Sequence, residues 1–222
     1  VDFLDTDNVW NNVNAQQDEY ATDAHWGAEQ TYDYFLNIHN RNSIDGNGFA
    51  LYSYVHYDQN YANAFWDGQR MTYGDGNPNS SLNSPLTAID IAGHEIAHGL
   101  TSNTADLIYQ RESGALNESF SDIFGTAIEF YARPTNADWL IGDDLGNAIR
   151  SMVNPNAFGD PDTYGGNSWT NPNCGTPLQS NDYCGVHSNS GVQNFWFYLL
   201  TNGGTGTNDL SNNYSVNGLG ID

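Results

Sequence analysis

The stretch His94-Glu95-Ile96-Ala97-His98 lies in a segment, Leu86 to about Ser102, with the length and apolar spacing of a helix. Four residues apart, His94 and His98 fall on one helical face, roughly 6 Å apart along the axis. Two imidazoles placed in this way can hold one zinc ion, and Glu95, next to the first of them, can reach a metal-bound water. A catalytic site of this design needs a third protein ligand and an open fourth position. Glu118, in the following cluster Asn117-Glu118-Ser119-Phe120-Ser121-Asp122, is the candidate for the third.

Taken alone, the pentapeptide also fits two exposed histidines on an amphipathic helix. The second cluster weighs against that reading. Glu112 to Ala132 again reads as helix, with Glu118 and Asp122 at i and i+4 on one face. One carboxylate can ligate the metal while the other accepts the outward N–H of a ligating imidazole and fixes its tautomer. The neighbours Leu116, Phe120, Ile123, Phe124 and Ile128 leave little purely polar surface there.

Composition narrows the class. A chain of 222 residues can bury a real core in one or two lobes. No run approaches about 18 consecutive apolar residues, so no membrane span is expected. The start, Val1-Asp2-Phe3-Leu4-Asp5, has neither the basic region nor the apolar run of a signal peptide, as in a mature or trimmed form. Against 27 acids stand five arginines (Arg41, Arg70, Arg111, Arg133, Arg150) and no lysine, a net charge of −22. Such a surface excludes nucleic acid and anionic membranes as partners, and suits calcium binding at particular acidic clusters.

Periodicity gives an α+β architecture. Gln17 to His39 has helical spacing at Ala21, Ala24, Ala28, Tyr32, Phe35 and Leu36. Phe49 to Tyr57 alternates like a strand, and Asp67-Gly68 marks a turn inside a hairpin. Residues 74–84 read as a loop, Pro134 to Asn194 as mostly loop, and Val192 to Thr201 as a buried helix.

Beyond the two clusters, the chain resembles the thermolysin-like secreted metalloendopeptidases. The resemblance rests on Asn63-Ala64-Phe65-Trp66, His94 to Gly99, Leu107-Ile108-Tyr109-Gln110, Glu112 to Gly125, Arg150-Ser151-Met152 and Gly185-Val186-His187-Ser188-Asn189-Ser190-Gly191, in the family's order. It implies a two-lobed fold: a β-rich N-terminal lobe at 1–84, a central zinc helix at 85–104, and a mainly helical C-terminal lobe at 105–222, both lobes incomplete. It implies a secreted, extracellular, monomeric enzyme acting on proteins or peptides.

The resemblance also implies roles. His94, His98 and Glu118 are the zinc ligands, and Asp122 orients His94. Glu95 is the general base, then the proton donor to the leaving amine. Tyr109 and His187 donate to the oxyanion, and Asp182 holds His187. Asn63, Ala64 and Trp66 belong to an edge strand that pairs with extended substrate. Arg150 binds the carbonyl just after the cleaved bond, although in so acidic a chain a surface ion pair is the competing reading. Ile91, Ile141 and Ile149 line the pocket that selects bulky apolar side chains. His25, His39 and His56 match no functional position.

Calcium is implied by oxygen-rich clusters. Asp90, Glu129, Asp138 and Asp143 match the family's principal calcium site. Leu140 stands where double-site members carry a carboxylate, so one ion is expected, with the Leu140 carbonyl as a possible ligand. Asp5 and Asp7 resemble a second, peripheral site. Cys174 and Cys184, in an exported protein, pair as a disulfide worth about 3 kcal/mol on the chain-entropy estimate. That bridge pins the loop leading to Asp182 and His187. Matching stops near Gly218-Leu219-Gly220-Ile221-Asp222, where family members continue with several helices, so the expectation is a fragment trimmed at both ends. The apolar run Val192 to Leu200 should then have one uncovered face.

Overall fold

The computed structural model describes residues 18–221; Asp5 and Asp7 lie outside them. Four helices dominate: α1 (Asp18–His39), α2 (Ile89–Ser102), α3 (Arg111–Ala132) and α4 (Asp182–Asn202). Three small sheets accompany them. The first holds β1 (Ser53–Tyr54), β2 (Ala64–Trp66) and β3 (Met71–Tyr73) in the order β1-β3-β2. The second pairs β4 (Leu140–Ile141) with β5 (Arg150–Ser151), and the third pairs β6 (Gly203–Thr207) with β7 (Asn213–Asn217).

The helix α2 is central because nearly all its residues are apolar or small. From Ile89 to Thr101 only Glu95 and His98 escape full burial, and a helix apolar on every side belongs inside. Its neighbours come close where glycines permit. On the α3 side, a Cβ at Gly125 would stand 2.4 Å from the Asp90 carbonyl oxygen and 3.2 Å from the His94 nitrogen. On the sheet side, one at Gly99 would meet Ile44 and Trp66. Around this axis the core gathers Phe35, Ile44, Met71, Tyr73, Ile96, Ile128, Ile141 and Met152, all almost wholly buried.

The strand expected over Phe49 to Tyr57 is a correction. Burial does alternate from Phe49 to Val55, but only Ser53 and Tyr54 join a ladder, parallel to β3. Their partner is three residues long, and His56 turns out of the strand at φ 61°. Among the described residues, the N-terminal part is thus led by the helix α1, with only the short strands β1, β2 and β3 beside it. The hairpin around Asp67-Gly68 forms as read, with Ala64 opposite Tyr73 and Trp66 opposite Met71. The regular part of α4 starts at Val186, six residues before its apolar run, after a left-handed stretch at 182–185.

The hairpin β6–β7 had no counterpart in the reading of the chain. It packs on the end of α4: the Tyr214 ring meets Phe195 edge-on at 6.2 Å, and the Leu219 N–H donates to the Leu200 carbonyl at 2.9 Å. The apolar run of α4 is only partly covered: Trp196 is 54 % exposed, and Phe195, Phe197, Tyr198, Leu199 and Leu200 are half-buried.

The α2–α3 crossing should be intolerant of one added methyl. Gly125→Ala forces a carbonyl and a Cβ apart where neither can rotate away, at a cost of about 1–3 kcal/mol, the range for overpacking. Thermal denaturation should show a lower melting temperature; an unchanged one would mean that the crossing is not tight.

Candidate metal centre and active site

Helices α2 and α3 cross with His94, His98 and Glu118 turned toward one another. Both Nε2 atoms stand 3.4 Å from a Glu118 oxygen, His94 from Oε2 and His98 from Oε1. Among the described residues these three side chains form a triad whose ligating atoms all lie within 4.8 Å. Each imidazole is held from behind: His94 Nδ1 donates to Asp122 Oδ1 at 2.8 Å, and His98 Nδ1 to Asn117 Oδ1 at 2.7 Å. With the proton on Nδ1, both Nε2 lone pairs point at a carboxylate, which is repulsive unless a cation lies between.

Two further observations fit a metal there. Glu118 is fully buried and its Oε2 receives no hydrogen bond. Burial opposes charge on His94, yet Asp122 and Glu118 outweigh it and push its pKa up to about 10, so the pocket demands positive charge. Two imidazoles and one carboxylate are the donor set of a catalytic zinc site.

Asp122 is the hub behind the metal ligands. Wholly buried, it accepts from His94, from Arg150 Nε at 2.8 Å and Nη2 at 2.6 Å, and from Asn194 Nδ2 at 2.7 Å. Ser119 fixes the Asn194 amide by donating to its Oδ1 at 2.7 Å. Burial alone would raise the Asp122 carboxyl, but Arg150 and His94 hold it far below the usual range. Arg150 is therefore no surface ion pair. Its fork, 12 % exposed, lies against Asp122 on α3 and leaves Nη1 unengaged by that carboxylate.

A cleft of about 630 Å³ opens over this centre. One wall is β2, including Asn63, Ala64 and Trp66; the other carries Tyr109, Asp182, Tyr183 and His187. Among the described residues β2 is an edge strand. Asn63 and Asp67 bond inward to β3, so Ala64 and Trp66 direct their backbone groups to the cleft, and the Trp66 N–H lies 3.3 Å from Glu95 Oε2. Burial raises the Glu95 carboxyl above its ordinary value, which suits a proton acceptor. Across the cleft, the Tyr109 hydroxyl donates to Glu118 Oε1 and lies 3.1 Å from His187 Nε2, while His187 Nδ1 is bonded to Asp182 Oδ1.

This arrangement decides the kinship. The model of the thermolysin metallopeptidase catalytic domain matches residues 1–102, and that of the family's alpha-helical domain matches 105–222. The chain belongs to the thermolysin metallopeptidase family. It is 49 % identical over 209 residues to a bacillolysin of Bacillus cereus, covering 91 % of this chain and 34 % of that protein. To a thermolysin of Bacillus sp. (strain EA1) it is 46 % identical over 221 residues, covering 96 % and 37 %. Among solved structures, the precursor of protealysin from Serratia proteamaculans superposes with a TM-score of 0.67 at 36 % identity, over 86 % of this chain and 62 % of that one. The chain thus spans about a third of the length of the curated thermolysin-family relatives it matches.

Other family positions are placed less directly. Ile91 and Ile141 are buried in the core with Ile149 partly buried against it, Ile91 and Ile149 both near Gly142; none of the three lines the cleft as shaped here. Asp90, Glu129, Asp138 and Asp143 are near enough to feel one another electrostatically, without forming a second triad of comparable tightness among the described residues. The disulfide Cys174–Cys184 is formed. Asn117, Asn194 and Ser119 escaped the reading of the sequence. Asn117 adjoins Glu118, but an asparagine on a polar helix stretch carries no distinguishing pattern.

Zinc affinity should depend on the hub. Asp122→Asn removes the acceptor charge behind His94 and should weaken zinc binding on the order of 10–100-fold, the usual effect of losing such a partner. Competition with a chromophoric chelator reads this directly; wild-type retention would show that Asp122 serves Arg150 alone.

Proposed function

We propose that the chain is the zinc-dependent catalytic part of a secreted endopeptidase that cuts before bulky apolar residues. The observation that carries this is Glu95 placed between the His94–His98–Glu118 triad and the cleft-facing edge of β2. A peptide pairing with Ala64 and Trp66 is recognised through its backbone, which suits an enzyme that accepts internal positions. His94, His98 and Glu118 would hold a zinc ion, which would supply a water of lowered pKa and a Lewis acid for the scissile carbonyl. Glu95 takes the proton from the attacking water and passes it to the leaving amine. His187, held by Asp182, and Tyr109 donate hydrogen bonds to the oxyanion as it forms. Arg150, locked by Asp122, offers Nη1 to the substrate carbonyl beyond the cleaved bond. The preference for a bulky apolar residue rests on Ile91, Ile141 and Ile149: Ile141 pairs with Arg150, and although none of the three lines the open cleft, a following side chain buried against them gains about 1.5–3 kcal/mol.

Glu95→Gln should keep its zinc and lose nearly all turnover, since it removes the base and no ligand. His187→Ala should lower kcat on the order of 10²–10³-fold with a smaller change in KM, as for loss of one oxyanion donor. A quenched peptide blocked at both ends, with its cuts mapped by mass spectrometry, tests both the activity and the preference for Leu, Phe or Ile after the bond. Failure to cut the blocked peptide would point instead to an exopeptidase.

A calcium ion among Asp90, Glu129, Asp138 and Asp143, with the Leu140 carbonyl, completes the reading. Asp90 is buried, with Oδ1 accepting from the Ile91 N–H at 2.8 Å and Oδ2 from the Gly142 N–H at 2.5 Å; Glu129 Oε2 is buried with no donor. Burial, with repulsion from neighbouring acids, pushes Asp90 up to about 6 and Glu129 up to about 7. Both values exceed the ordinary 3.8 and 4.5, so without calcium the native state holds these protons more tightly than the unfolded chain does. Their contribution to stability is then full below those ordinary values and is lost as pH rises through about 6 to 7. Bound calcium takes over from the protons. In the Glu95→Gln protein, which cannot digest itself, melting temperature should fall with rising pH in calcium-free buffer and stay level in calcium. Equal slopes would remove calcium from this cluster.

A further inference from the structure

Between the exposed loop at 171–181 and the helical turn carrying His187, the backbone runs left-handed for four residues. The φ angles are 53° at Asp182, 47° at Tyr183, 69° at Cys184 and 91° at Gly185. Only the last is glycine. L-residues visit this region singly, so three in succession persist only where the surroundings over-determine them. Here they do. Cys184, wholly buried, is bonded to Cys174. The loop around Cys174 is tied to the start of α3 by Arg111, whose guanidinium donates to the Pro172 carbonyl and, at 2.6 Å, to that of Gly175. The Tyr183 N–H donates to the Leu178 carbonyl at 2.8 Å.

The turn delivers two consecutive side chains, one to each oxyanion donor. Asp182 bonds to His187 Nδ1 and also accepts the His187 N–H at 3.0 Å. The Tyr183 ring packs edge-on against Tyr109 at 5.5 Å. We propose that the Cys174–Cys184 disulfide and Arg111 together act as a clamp that positions both oxyanion donors by holding this left-handed turn. The inference rests on the roles assigned above to His187 and Tyr109. Relaxation at 182–184 toward right-handed backbone carries Asp182 off His187 and the Tyr183 ring off Tyr109. The metal ligands ride on α2 and α3 and stay in place.

The test compares Cys174→Ala/Cys184→Ala with Cys174→Ala/Cys184→Gly, each assayed well below its melting temperature with zinc content measured. Both lose the bridge, but glycine at 184 adopts the left-handed backbone without penalty. The alanine pair should keep one zinc per chain and lose kcat on the order of 10²-fold, the scale of an ångström of misplacement, with KM little changed. The glycine pair should recover most of that loss. A bridge that only stabilises the fold predicts wild-type kcat in both with lowered melting temperatures, and that result overturns the proposal. Should the bridgeless chains not fold, Arg111→Gln, which keeps the disulfide, should lower kcat with zinc retained; wild-type kcat there overturns it equally. His187→Ala and Tyr109→Phe run alongside: if they leave kcat untouched, the donor roles themselves fail, whereas if they lower it and the bridgeless chains do not, only the clamp fails. In the alanine-pair background His187→Ala should cost far less than in the wild type, because the donor is already displaced.

Discussion

One buried carboxylate organises the molecule. Asp122 binds His94 on α2, Arg150 on β5 and Asn194 on α4 while itself sitting on α3. A charge taken out of water is tolerable only when its lone pairs are satisfied and an opposite charge lies beside it. Arg150 supplies the charge and three elements supply the donors, so these elements dock in one relation or leave an ion stranded. His94 of the metal triad and Arg150 thereby share a single anchor, and their relative placement is set by one side chain.

Close approach of the helices is the second condition. Asp122 can reach His94 because α3 lies almost backbone to backbone on α2 at Gly125 and Asp90. The triad thus sits where two helices pack closely, while Tyr109 and His187 lie across the cleft, the latter half-exposed with its side chain 50 % accessible. The triad rides on packed helices, whereas His187 follows directly on a left-handed turn fastened by a disulfide and by Arg111.

What the chain disclosed in advance follows the range of the interactions concerned. His94, His98, Glu118 and Asp122 were legible because helical spacing of four residues converts letters into a face. The hairpin at Asp67-Gly68 was legible because turn chemistry is local. The strand over Phe49 to Tyr57 was overread: alternation reports which side faces the core, but a ladder lasts only as long as its partner, and β3 is three residues long. Asn194, Ser119 and Asn117 were invisible because their bonds join residues 19 to 75 positions apart, and amide or hydroxyl side chains have no periodic signature. The left-handed turn before His187 was hidden for a related reason. Only Gly185 hints at it, and the three residues before it adopt that backbone through tethers that lie elsewhere.

The scarcity of positive charge has a consequence for survival among other proteases. An enzyme of tryptic specificity, which cuts after lysine or arginine, finds five such residues in the sequence, and Pro134 protects the bond after Arg133, leaving four. Each arginine is held by its own side chain: Arg41 on the Ile44 carbonyl, Arg70 on Asp67 and over the Tyr54 ring, Arg111 on the Pro172 and Gly175 carbonyls, Arg133 between Glu129 and Asp144, and Arg150 on Asp122. To enter a tryptic active site, Arg111 and Arg150 must first be released by local opening, whereas Arg70, 48 % exposed beside Asp67, is the accessible position. The same economy of cations that makes the surface so acidic leaves an enzyme of that specificity few places to begin.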